Sequence, residues 1–368
     1  MTRQKYHIYR NRRSLIAHGA RKVLGEDSQL RGAVRKLDDN NLAQHMMVIR
    51  PESAYGLDGL IIAEELQWER DGKHVLFTQS PEFLTRLLNA KFDLSVTGGF
   101  QLPFSSFMLP MPLGFKHDGV ALGGILVTSY RLDQTREVLR SYARYLQQPV
   151  NPNLARALGI DAHNYKARCQ VPDAAQNPTS DDLADDEPLL CIALLDNLSN
   201  PLMASTIRAS EGFSRIPDLL AAATPDEFWQ RLGPMKHSNY RVRDVSTHDA
   251  AAEFYAFKLV CALSVYNMAT RGDLLKPGFP GNTVPHVEGR LDRKTSQSFT
   301  LGQGSLLSKK DAPSAHYRQW HFRQLRDKRF YHGEHRQKPI GSRWVFVRDT
   351  VVAENDVDPY TLSDREAQ

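Results

Sequence analysis

The feature that most constrains this chain is an apolar run from Phe254 to Met268, in which Lys258 and Asn267 stand out as polar. A bilayer crossing takes about 20 apolar residues, so the run is too short to span a membrane and reads as a buried core helix. Its flanks agree. The pattern predicts a helix over Thr247 to Arg271, with Ser246 and Asp249 placed to cap its start and Gly272 to end it. A chain of 368 residues is long enough to build a core around such a helix.

Other elements follow from local signals. Ser14 to Leu37 has helical apolar spacing, interrupted near Gly25. Ser80-Pro81-Glu82 reads as an N-cap with proline at the first helical position, opening a helix through Leu88. Phe92 to Phe100 and Val120 to Tyr130 look like strands flanking a Pro103–Pro112 connection, and Asp133 to Gln147 resumes a helix. Gly98-Gly99 and Gly123-Gly124 fall within these strand-like runs, where glycine pairs more often mark bulges than phosphate cradles. Leu189 to Leu195 is a buried strand, and Thr224-Pro225-Asp226-Glu227 has capping-box spacing before a short helix through Leu232. Arg343 to Arg348 alternates as a strand.

The expected fold class is α+β: a mixed or antiparallel sheet packed against a long buried helix, with a basic C-terminal strand module. Residues 1–275 form the body, with an acidic loop near 171–188, and residues 276–313 a Gly/Pro/Ser-rich connection. Residues 314–352 form a basic His/Arg/aromatic module packed on the body, and residues 353–368 an acidic disordered tail.

Charge is unevenly placed. Residues 1–36 carry ten Lys/Arg against Glu26 and Asp27, and residues 308–348 carry eleven against Asp311, Asp327 and Glu334. Two basic ends around an acidic middle suit a polyanion partner, although a solvated helix face looks the same at the N-terminal end. The cysteines Cys169, Cys191 and Cys261 are sparse and far apart, which points to a reducing cytoplasm. No apolar signal core follows the basic start, and no membrane partner is indicated.

The densest chemistry lies at His316-Tyr317-Arg318-Gln319-Trp320-His321-Phe322-Arg323, followed by Arg326, Lys328, Arg329, Tyr331 and His332 and then by Arg343 and Trp344. Arginine forks and lysine charges suit phosphates, and histidine exchanges protons near neutrality. Metal-independent RNA cleavage needs a base, an acid and cations for the phosphorane. His316 and His321 are the catalytic candidates, and Arg318, Arg323, Arg326, Lys328, Arg329 and Arg343 are the RNA- and phosphate-binding candidates. Trp320, Phe322, Tyr331 and Trp344 give aromatic support. RNA contact without chemistry outweighs cleavage, because phosphate positioning dominates such interfaces.

As a strand, His316 to Leu325 places His316, Arg318, Trp320 and Phe322 on one face; as a helix it aligns His316, Trp320 and Arg323. A structural role for the rings competes, since a small sheet needs a buried face. His332-Gly333-Glu334-His335 resembles a metal-ligand pair, but further ligands at suitable spacing are missing, so no metal is expected. Gly302-Gln303-Gly304-Ser305 lacks the P-loop pattern, and no cofactor is expected.

The motif His316-x-Arg318-x-x-His321-Phe322, with the strand Arg343-Trp344-Val345-Phe346-Val347 after it, resembles a family of phage- and plasmid-borne proteins. That family includes an anti-CRISPR directed at the type V-A CRISPR nuclease. The likeness extends loosely to the strands around Val96 and Val120, the helix Phe254–Met268 and the approach Lys276–Pro280. Where the family often has Arg-Gly-His-Trp, this chain reads Gln319-Trp320-His321-Phe322.

The resemblance implies a cytoplasmic effector in a bacterial host that binds a target protein's N-terminal or nascent peptide and lowers the encoding mRNA. RNA or the ribosome would be its second partner, met by the C-terminal module, with a peptide groove between the central strands and the long helix. An RNA nuclease without a peptide trigger and a non-catalytic nucleic-acid-binding regulator are the alternatives.

Overall fold

The computed structural model describes residues 5–27, 30–49, 57–90, 101–149, 152–157, 188–195, 201–208, 221–232, 239–241, 247–270, 275–280, 285–288, 296–301, 316–318, 321–341, 343–347 and 350–352. The N-terminal third holds β1 (Lys5–His7), α1 (Arg12–Leu24), α2 (Arg31–Lys36), α3 (Asp39–Ile49), α4 (Leu57–Arg70), β2 (His74–Thr78) and α5 (Pro81–Asn89). Next come β3 (Ser106–Leu109), β4 (Met111–Pro112), β5 (Lys116–His117), β6 (Val120–Ala121), β7 (Ile125–Arg131), α6 (Leu132–Leu146) and α7 (Pro152–Ala157).

The central part adds β8 (Pro188–Leu195), β9 (Pro201–Arg208), α8 (Pro225–Leu232), β10 (Asn239–Arg241) and α9 (Thr247–Thr270). The remainder is β11 (Leu275–Pro277), β12 (His286–Glu288), β13 (Gln297–Leu301), β14 (His316–Arg318), β15 (His321–Leu325), β16 (Arg343–Val347) and β17 (Thr350–Val352).

Local signals explain several of these starts. The Ser80 hydroxyl accepts the Phe83 amide at 3.3 Å, with Pro81 in the first turn of α5. The Thr224 hydroxyl accepts the Glu227 amide at 3.2 Å, and Glu227 returns to the Ala223 amide at 2.7 Å. Gly25 ends α1, so the expected Ser14–Leu37 helix becomes two.

The fold is α+β. An eight-stranded mixed sheet runs in the order β10-β9-β8-β7-β3-β2-β13-β11, parallel at β3-β2-β13 and antiparallel elsewhere. Side chains alternate between its faces. Leu76, Phe107, Leu109, Ile125, Val127 and Ile192 join α5, α8 and α9 in one cluster. Val75, Phe77, Met108 and Leu126 meet Tyr6, Ile8 and Trp68 on the other face. Every residue of α9 from Ala251 to Asn267 except Lys258 is buried, as an all-round apolar helix requires. Among the described residues no helix is long and apolar enough to cross a membrane.

Other expectations change as well, and the Pro103–Pro112 connection itself holds β3, inside the main sheet, and β4. Residues 276–313 are more than a connection: β13 pairs in parallel with β2 and antiparallel with β11, inside the main sheet. Its Phe299, Thr300 and Leu301 fit a half-buried strand despite the glycines and prolines around it. Val120 to Tyr130 is two strands, β6 in a hairpin with β5 and β7 in the main sheet. Between them a Cβ at Gly124 would come within 2.1 Å of the Tyr9 amide nitrogen. That glycine lets the N-terminal segment cross closely over the sheet. The segments 91–100 and 353–368, and the acidic stretch up to residue 187, lie outside the described residues.

The basic N-terminal segment is tied into the body. Arg13 is buried, with Nε 3.2 Å from Glu65 and Nη2 2.8 Å from Glu69, both on α4. Arg12 meets Asp58 at 2.7 Å and Arg21 meets Asp39 at 2.6 Å. Burial pushes the Glu65 carboxyl up, while the Arg13 guanidinium, the Arg12 amide and the Tyr9 hydroxyl hold it toward the ionised form. Arg13→Ala leaves a buried carboxylate without its cation and is expected to cost about 3–5 kcal/mol. Arg21→Ala, at a partly exposed pair, is expected to cost less than about 1 kcal/mol. Denaturant titration of both variants checks this, and equal losses would contradict it.

Candidate nucleic-acid interface

The C-terminal module is built from two short ladders. β14 pairs antiparallel with β17, placing His316 opposite Val352 and Arg318 opposite Thr350. β15 pairs antiparallel with β16, placing His321 opposite Val347, Phe322 opposite Phe346 and Gln324 opposite Trp344. The expected single strand or helix over His316–Leu325 is therefore two strands. Each half finds its own β-branched partner, Thr350-Val351-Val352 or Val345 and Val347. The two histidines proposed for catalysis fall in different ladders. Trp320 lies outside the described residues. β16 also runs alongside α9, so the module sits against the body's central helix.

From Arg323 on β15 through the loop to β16 the chain is rich in exposed positive charge. Arg323, Arg326, Lys328 and Arg329 are exposed, as are His332, Arg336 and Lys338. Asp327 caps the short turn Lys328–Phe330 through the Arg329 amide at 3.0 Å, and its carboxylate lies 3.7 Å from Arg329. Arg329 also stands over the Phe330 ring at 4.8 Å. His335 meets Glu334 at 3.0 Å. Among the described residues no group of three or more His, Cys, Asp or Glu is placed to hold a metal.

The loop encloses an open groove of about 510 Å³ lined by Lys328, His332, Arg336, Lys338 and Ile340, with Tyr331 at its base. No acidic side chain among the described residues lines it. Arg336, Lys338 and Ile340 are absent from the residues that the sequence singles out, because the motif-like density falls off before them. The signal was present in the basic run continuing to Lys338 between two strands.

Tyr331 holds the loop in shape. Its ring is buried, and its hydroxyl donates to the Leu325 carbonyl at 2.7 Å. The same oxygen accepts the Gly341 amide at 2.5 Å and the Arg343 amide at 3.2 Å. The aromatic support expected of Tyr331 is thus structural. Arg343, expected beside a phosphate, donates from Nη1 to the Phe330 carbonyl and closes the same loop.

Two further polar clusters lie in the body. Asp118 and Gly119, both at positive φ, form the two-residue turn between β5 and β6. Asp118 accepts the Tyr255 hydroxyl at 2.9 Å and lies 3.6 Å from His117 Nε2. Burial lowers both His117 and nearby Lys258. The Asp118-Gly119 dipeptide was the overlooked sequence signal for this hairpin, which clamps onto α9.

On the opposite face of the sheet, buried Glu64 accepts hydroxyls from Thr128 and Tyr130, the latter at 2.8 Å, and ties α4 to β7. Among the described residues, the interface between the central strands and the long helix, where a peptide groove is expected, is closely packed. That interface is filled by Leu76, Phe107, Ile125, Phe257 and Leu263, each buried.

No family model, curated protein or solved structure matches the chain. What the protein does must therefore be argued from the chemistry of the site.

Two expectations follow. Tyr331→Phe removes the three hydrogen bonds of the hydroxyl at the base of the loop and should lower stability by about 1–3 kcal/mol. Limited proteolysis should cut the variant between residues 326 and 342 sooner than wild type, and unchanged cleavage would contradict the pin. Burial raises the Glu64 carboxyl to about 6, with Asp71 adding to the shift. Between about 4.5 and 6 the folded chain holds a proton that the unfolded chain has lost. The contribution is full below that window and fades as pH rises through it. Glu64→Gln should match wild type at low pH and gain about 2 kcal/mol on it above pH 6, as urea titrations across pH would read.

Proposed function

We propose that this protein is an RNA-contacting effector of a bacterial mobile element. It engages a target protein's N-terminal or nascent peptide in the host cytoplasm and lowers expression of the encoding mRNA. The observation that carries the RNA arm is the exposed cationic loop at residues 323–340 around an acid-free groove. Clustered, solvent-facing Lys and Arg release counterions from a phosphate backbone and bind it without reading sequence. The peptide arm rests on the anti-CRISPR-family resemblance at His316-x-Arg318-x-x-His321-Phe322. Because Leu76, Phe107, Ile125, Phe257 and Leu263 fill the described sheet–helix interface, the proposal places the peptide on an outer surface of the body.

Contact without chemistry is the favoured form of the RNA arm. His316 and His321 belong to different ladders, paired to Val352 and Val347, which speaks against a tight acid–base pair on one strand. A nuclease would instead degrade naked RNA in the presence of EDTA.

A pair of reporters tests the whole reading. One keeps the peptide of a silenced gene and shuffles its codons; the other keeps the nucleotides and shifts the frame. Silencing should follow the peptide, and silencing that follows the nucleotides would overturn the peptide arm. Arg323→Ala combined with Lys328→Ala should weaken both silencing and binding to purified RNA. The log–log salt slope should flatten by about 0.7 for each phosphate that the variant no longer neutralises. Unchanged RNA binding by that double variant would remove the RNA arm.

A further inference from the structure

Resting on the RNA reading above, we infer that the groove among Lys328, His332, Arg336, Lys338 and Ile340 is a subsite for one unpaired nucleotide. The phosphate lies among the cations and the base lies against Ile340. Its size suits the assignment: about 510 Å³ is in the range of small-ligand sites and leaves room for a nucleotide, not for a duplex.

Its walls suit it too. Ile340 is 51% exposed, a large apolar side chain beside the basic rim of the groove. Covering it with a flat ring removes apolar surface from water, which cations alone do not achieve. Single-stranded RNA is recognised through splayed bases stacked on aromatic rings or guanidinium planes, whereas duplex RNA presents its backbone and a shallow minor groove. Here Arg336 supplies the plane and Ile340 the apolar contact.

The floor explains why the site tolerates any base. The Tyr331 hydroxyl already donates to Leu325 and accepts from Gly341 and Arg343, so it has no strong bond left to read a base edge. The remaining polar wall groups are Lys and Arg donors plus one imidazole, which favour phosphate over any particular base.

The loop is also held in place before ligand arrives. Gly333 and Gly341 take φ values of +56° and +88°, and Tyr331 anchors both sides of the turn. A held loop loses little freedom on binding.

Fluorescence anisotropy with the full chain tests this, using an unstructured oligouridylate and a fully paired RNA of equal length at one salt concentration. The single strand should bind about tenfold more tightly, and Ile340→Ala should weaken single-strand binding several-fold without changing its salt slope. Ile340 is exposed, so a thermal melt of the variant should match wild type. Equal affinity for both RNAs, or an unaffected Ile340→Ala, would overturn the nucleotide subsite while leaving RNA contact standing. Binding to neither RNA would sink both.

Discussion

A guanidinium inside a folded chain is tolerated only where carboxylates meet it, and Arg13 sets the arrangement of the N-terminal half on that condition. Its partners Glu65 and Glu69 lie on one face of α4, so α1 and α4 are held together. The segment before α1 then crosses the sheet at Gly124, and the Tyr6 hydroxyl donates to the Thr78 carbonyl at 2.6 Å. Arg12 and Arg21 find further acids on α4 and α3. Part of the basic character at the start of the chain is therefore used up inside the fold. The two basic ends, ten Lys/Arg against two acids and eleven against three, are equal in net charge but unequal in what they offer a partner.

At the other end the disposal of charge is reversed. The loop between β15 and β16 is held by uncharged means: a tyrosine hydroxyl, backbone amides and a buried Leu325. Charged groups join in at Asp327, which caps the Lys328–Phe330 turn, and at Arg343, turned to the Phe330 carbonyl. Lys328, Arg336 and Lys338 are left facing water, where they act on solutes through long-range attraction as well as contact. α9 connects this loop to the body. It fills the core beneath the eight-stranded sheet and lies alongside β16, so the strand that follows the charged loop rests on a buried helix of the body.

Much of the fold was legible because its signals are local. The apolar run around Phe254–Met268, the Ser80-Pro81 start and the Thr224/Glu227 spacing each specify a helix through bonds within a few residues. The place of β13 was not legible. Its pairing with β2 joins residues far apart in the chain, and nothing at Gln297–Leu301 names that partner. The role of Arg13 was hidden for the same reason: beside Arg12 it reads as surface charge until Glu65 and Glu69 are brought to it. At the site, composition picked out Arg323, Lys328 and Arg329 as exposed cations. It could not separate them from Arg343 or Tyr331, whose tasks depend on where the loop turns back. Between the described strands and α9 the apolar faces pack against each other, a filling that the sequence pattern of an apolar helix and apolar strands does not by itself reveal.

The central claim is that the solvent-facing cations between β15 and β16, and not the arginines of α1, meet the polyanion. Ultraviolet cross-linking of the full chain to a uridine-rich RNA, with mass-spectrometric mapping of the linked peptides, tests it most directly. Cross-links should concentrate between residues 323 and 340. Cross-links confined to residues 10–36, with the C-terminal loop unmarked, would contradict it.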